Sequence, residues 1–85
     1  MLKRCPFCHN ELDIPKVVGQ GGYCKCGAYA EINLLTNAGA FREKAKKALG
    51  VTPVKGGPGM EVVDGGTVFE ENGEPVIIQW AQKPS

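Results

Sequence analysis

Cys5-Pro6-Phe7-Cys8 and Cys24-Lys25-Cys26-Gly27 hold every cysteine of this 85-residue chain, with fifteen residues between the two pairs. That pattern decides the reading of the first half. Two close pairs, each on its own turn, can offer four sulfurs at the corners of a tetrahedron, the arrangement Zn²⁺ favours. The spacing therefore predicts one Zn²⁺ per chain, ligated by Cys5, Cys8, Cys24 and Cys26. With all four positions filled by thiolates, no vacancy remains for a hydrolytic water, so the metal is expected to be structural. Two disulfides are the alternative. Against them, Met1-Leu2-Lys3-Arg4 leads into Cys5 without an apolar signal segment, and the chain is expected to stay in the reducing cytoplasm.

A chain of this length buries a modest core and needs a staple, and structural zinc supplies roughly 10–16 kcal/mol in finger peptides. Net charge is +1. It is unevenly spread: through Gly50 there are eight basic and four acidic residues, and from Val51 onward two basic and five acidic. Zn²⁺ on four thiolates lowers the sum by two, which leaves the first half near +2 and the whole chain near −1. The basic surface is real but mild. No apolar run approaches the roughly 20 residues that span a bilayer.

Short extended stretches alternate with turn signals through residue 35: Leu2 to Arg4, Glu11 to Val18 interrupted by Pro15, a turn at Gly19-Gln20-Gly21-Gly22, and a strand from Ala28 to Leu35. This part, residues 1–35, resembles the zinc-ribbon (rubredoxin-like) domains: Cys5-Pro6-Phe7-Cys8 is similar to their first knuckle and Cys24-Lys25-Cys26-Gly27 to a shortened second one. The resemblance implies a β-ribbon around the metal, with Gly after each cysteine pair to give a positive φ and to aim backbone N–H groups at the sulfurs. Gly27 fits and His9 departs from it. His9 is expected to be a surface or supporting residue and not a ligand. The same resemblance carries an alternative metal, iron, although rubredoxins show CxxC twice and Cys24-Lys25-Cys26 is one residue shorter.

Thr36 or Asn37 is placed to cap a helix that runs over 36–50 and stops at Gly50. Ala38, Phe41, Ala45, Ala48 and Leu49 form its apolar face, and its cations crowd the last turns, where the helix dipole favours them. Residues 51–59 read as a Gly/Pro linker. Over 60–82 the predicted elements are Met60 to Asp64, Thr67 to Glu71 and Glu74 to Trp80, joined by Gly65-Gly66 and Asn72-Gly73 as two-residue hairpin loops. That register puts Val62, Phe69, Val76, Ile78 and Trp80 on one face, and Val63, Val68 and Ile77 on the other. The expected architecture is small α+β: an N-terminal zinc β-ribbon, one basic amphipathic helix and a C-terminal three-stranded antiparallel β-meander.

Catalysis is not expected. The cysteines are committed to the metal, no Ser/His/Asp or Cys/His nucleophile set exists, and neither Gly-rich stretch has the context of a phosphate loop. Three binding roles remain open. Lys3, Arg4, Lys25, Arg42, Lys46 and Lys47 would serve a module associated with nucleic acid or the transcription machinery, or contact a protein partner in an adaptor. Iron in the same site would make an electron carrier. Trp80, Tyr23, Tyr29 and Phe7 are either a stacking platform for single strands or core packing. Neither a membrane nor a small-molecule substrate is expected among the partners.

Overall fold

Tyr29–Leu34 (β4) is the strand around which the protein assembles, in a computed structural model that describes residues 1–51 and 59–83. Before it, Leu2–Arg4 (β1) pairs antiparallel with Glu11–Asp13 (β2), and Gly21–Tyr23 (β3) pairs antiparallel with β4. Each pair closes on one cysteine turn. After β4 come a 3₁₀ segment, Leu35–Ala40, and the α-helix Phe41–Leu49 (α1). Glu61–Glu71 (β5) and Glu74–Gln82 (β6) form a long hairpin, and β6 pairs with β4, giving a four-stranded antiparallel sheet in the order β3-β4-β6-β5. Of the predicted linker, residues 52–58 lie outside the described residues. No helix among the described residues is long and apolar enough to cross a membrane.

The sheet has two covered faces, and β4 and β6 carry the alternation that divides them. On one face the cross-strand pairs Ala30–Trp80, Ile32–Ile78 and Leu34–Val76 meet Cys5, Ile14, Cys24 and Ala28, so the cysteine turns are part of this core. On the other face Tyr29 and Ala81 pack with Phe41, Ala45, Leu49 and Met60, which places α1 there. A strand covered on both faces is largely apolar, and Val76 to Ala81 is buried at every position, with Gln79 the one polar residue in the run.

The predicted three-stranded meander is corrected to a two-stranded hairpin. Asn72-Gly73 does close it, with both residues at positive φ (52° and 80°) and Phe69 opposite Val76 as expected. Gly65-Gly66 does not turn the chain. It forms a bulge within a continuous β5, and a second irregularity falls at Val68, between Thr67↔Ile77 and Phe69↔Val76. The physical reason is contact with β6: a Cβ on Gly65 would sit 2.6 Å from Cγ2 of Ile78 and 3.1 Å from Nε1 of Trp80, so the chain there lies against the neighbouring strand. Because the chain runs on through Gly65-Gly66 and does not fold back there, Val62 falls opposite Ala81 on the helix face and Val63 opposite Trp80, and the two irregularities together leave Phe69 opposite Val76 on the cysteine face.

Two smaller expectations also change. The α-helix starts at Phe41 with Ala40 at its N-cap and no side-chain cap, while Asn37 sits at φ −111°, ψ 15° inside the 3₁₀ segment. Thr36, Asn37 and Gly39 are poor helix formers, and the tighter turn takes them up. Gly21 and Gly22 belong to β3 and not to the preceding turn. The helix stop is as read: Gly50 is left-handed at φ 67°, and the Val51 N–H donates to the Lys46 carbonyl at 2.9 Å.

Candidate metal centre

The two cysteine turns are built alike. In the first, the Cys5 N–H donates to the Asn10 carbonyl (2.9 Å) and the His9 N–H to the Cys5 carbonyl (2.9 Å). In the second, the Cys24 N–H donates to the Ala28 carbonyl (2.8 Å) and the Gly27 N–H to the Cys24 carbonyl (2.9 Å). The residue after each pair has positive φ, 65° at His9 and 92° at Gly27. His9 thus takes up the conformation that glycine would provide, and His is among the few non-glycine residues enriched there. His9 therefore differs from the expected glycine in residue type while keeping the positive φ.

These turns bring the four Sγ atoms within 4.8 Å of one another. Cys5 and Cys26 are 3.8 Å apart and Cys8 and Cys24 3.3 Å apart, far beyond the roughly 2.05 Å of a disulfide, and all four thiols are free. Zn–S bonds of about 2.3 Å in a tetrahedron put sulfurs roughly 3.8 Å apart, so the observed cluster of thiols has the dimensions of a four-sulfur metal site. Cys5 and Cys24 are buried, Cys8 is half-buried and Cys26 is exposed.

Backbone donors are aimed at the sulfurs. Burial pushes the Cys5 thiol up to about 12, against the Cys8 and Phe7 N–H groups that favour its thiolate. The Asn10 N–H, with help from the Cys24 side chain, holds Cys8 down to about 6, and Nδ2 of Asn10 adds a donor at 3.5 Å. Burial also raises Cys24, opposed first by the Cys26 N–H. Four thiolates this close repel one another, and a soft divalent cation among them removes the repulsion while keeping the N–H···S bonds. His9 Nδ1 and Nε2 are not among the atoms that converge on the site.

The cations named from the sequence do not converge. Lys3 and Arg4 lie on β1, on the cysteine side of the sheet, and Lys25 sits between two ligands in the second turn. Arg42, Lys46 and Lys47 lie on α1, across the sheet, where Nζ of Lys46 reaches Oε1 of Glu43 at 3.5 Å. Nor do the aromatic residues make a platform. Trp80 is core, the Tyr29 ring stacks on Phe41 (centroids 6.1 Å, planes 9° apart), and Tyr23 tilts against Tyr29 while its hydroxyl donates to the Ala48 carbonyl at 3.0 Å.

A buried polar layer under α1 was missed by the sequence reading. Glu31 is 2% exposed and accepts from Tyr29 Oη (2.6 Å), Asn33 Nδ2 (2.9 Å) and Lys44 Nζ (3.0 Å). Burial raises the Glu31 carboxyl, but those three donors outweigh it and hold the group below its ordinary value. Opposite Glu31 in the ladder, Gln79 is buried and donates to the Ala38 carbonyl (3.3 Å) and to Asp64 (3.0 Å). The signal in the sequence is Glu31 and Asn33, two positions apart in a strand that a helix then covers.

The chain was compared with protein-family models, with curated proteins and with solved structures, and it matches none of them.

Proposed function

We propose that this protein is a non-catalytic binding module whose fold is held by one structural Zn²⁺ on Cys5, Cys8, Cys24 and Cys26. The observation that carries the reading is the set of four free sulfurs within 4.8 Å, two of them buried in the core beneath β4 and β6. Four thiolates suit zinc or iron, and four ligands without an open position suit structure and not hydrolysis. The ribbon-like pairing of two cysteine turns supports the resemblance of residues 1–35 to zinc ribbons.

The partner we favour is a protein. Phosphate-backbone binding draws on cations gathered on one surface, whereas here Lys3 and Arg4 lie across the sheet from Arg42, Lys46 and Lys47, and Lys44 is engaged by buried Glu31. A pull-down from the native host with the zinc-loaded chain, repeated after nuclease treatment, tests this. Partners that persist support the adaptor reading, and partners lost with the nucleic acid revive the alternative. An electron carrier is the lesser alternative and is tested by colour, since ferric thiolate is red and the zinc form colourless.

A further inference from the structure

The four corners of the candidate metal centre are not equivalent. Cys5 is fully buried and Cys24 nearly so, Cys8 is half-buried beside Asn10, and Cys26 is exposed. Across the two turns Cys26 lies 3.8 Å from Cys5, while Cys8 lies against Cys24 at 3.3 Å. Cys5 also shares its core with Ile14, Ile32 and Trp80. An exposed cysteine next to a buried one that belongs to the same core as the only tryptophan is an arrangement in which surface chemistry reaches the core.

We infer that Cys26 is a modification site for soft electrophiles and hydroperoxides, and that its oxidation recruits Cys5, opens the metal site and loosens the core around Trp80. This rests on the zinc reading proposed above. Metal ligation keeps the cysteines as thiolates, and among thiolates access selects which one reacts. With a hydroperoxide, the Cys26 sulfur attacks the terminal oxygen, the O–O bond breaks, and the hydroperoxide leaves as an alkoxide or hydroxide. The sulfenic acid so formed is attacked by the Cys5 sulfur; the S–O bond breaks, the Cys5–Cys26 bond forms and hydroxide departs. Two thiolates lose two electrons in all, and the peroxide bond takes them up. Two sulfurs remain as ligands, too few for a structural four-coordinate site. A monofunctional electrophile stops at the first step, as a thioether on Cys26.

The test uses the zinc-loaded full chain, with zinc content measured first. Substoichiometric N-ethylmaleimide followed by peptide mapping is expected to label Cys26 at least about tenfold ahead of Cys5 and Cys24, the ratio given by a barrier difference of about 1.4 kcal/mol. Hydrogen peroxide is expected to yield the Cys5–Cys26 disulfide, zinc release read by a chromophoric chelator, and a red shift of Trp80 emission, all with one time course. Label spread evenly or found first on Cys8, a different first disulfide, or zinc retained after Cys26 is modified would overturn the inference while leaving the zinc reading intact. A chain that takes up no zinc at the outset removes the zinc reading and this inference with it.

Discussion

Removing the Lys44 ammonium from Glu31 probes the least expected feature of the fold. In Lys44→Met the stem of the side chain is kept, and the carboxylate of Glu31, 2% exposed, retains only Tyr29 on Oε2 and Asn33 on Oε1. A hydrogen bond to a charged group contributes about 1.5–3 kcal/mol, and Lys44 is 43% exposed, so solvent screening moves the expectation to the lower end, about 1.5 kcal/mol of lost stability. Glu31→Gln is milder. Its amide oxygen can keep Asn33 and Lys44 while its NH₂ donates to a reversed Tyr29 hydroxyl, and the expected loss is about 1 kcal/mol. Glu31→Ala strips all three donors of a partner and leaves a cavity, and should lose about 3–5 kcal/mol. Once Glu31 is Gln, Lys44→Met should matter less, with a coupling of about 1 kcal/mol in the double-mutant cycle. Urea unfolding of the zinc-loaded variants at one fixed free-zinc concentration, followed by the emission of Trp80, the sole tryptophan, measures each value. A neutral Lys44→Met, or strict additivity, would refute the reasoning that Lys44 stabilises the buried Glu31 carboxylate beneath α1.

Other consequences follow from the same geometry. Gly65→Ala should lose about 1–3 kcal/mol in the same assay, because the added Cβ meets Ile78 and Trp80; an unchanged stability would contradict the bulge. Glu31 is held below its ordinary value of 4.5, so its stabilising contribution is complete above about pH 4.5 and is lost as pH falls through the lower folded value. The stability difference between wild type and Glu31→Gln should therefore shrink only below that pH, with acid release of the metal common to both proteins. A difference that shrinks above pH 5 would contradict the direction of the shift. Single- or double-stranded nucleic acid should bind no tighter than about micromolar at physiological salt, and Lys46→Glu with Lys47→Glu should leave partner capture unchanged. Tighter, steeply salt-dependent binding that the double variant abolishes would favour the nucleic-acid alternative.

The parts that were legible from sequence are those fixed by local chemistry. Cys5, Cys8, Cys24 and Cys26 announce a shared site by type and spacing, Asn72-Gly73 closes its hairpin, and Gly50 stops α1 because a left-handed residue is needed there. Gly65-Gly66 looks the same as a hairpin loop in one dimension. What distinguishes it is the neighbour it touches, Ile78 and Trp80 on β6, which local sequence does not encode. The clue lay elsewhere, in the unbroken run Val76-Ile77-Ile78 followed by Trp80-Ala81: a strand buried on both faces needs neighbours along both edges, and β4 and β5 are those neighbours. Nothing local marks Glu31 and Asn33 as buried; that follows only once α1 is laid over them. The scattered cations carried no information about which side of the sheet each would occupy, because that depends on where α1 and β1 dock.

The central claim is that four thiolates hold one zinc and that the fold depends on it. Native mass spectrometry of the purified chain, before and after treatment with a strong chelator, with Trp80 emission read on the same samples, tests it most directly. The expected result is one zinc per chain, lost on chelation together with the buried-tryptophan emission and restored by added zinc. A chain that carries no metal, or that keeps Trp80 buried after its zinc has been removed, would contradict it.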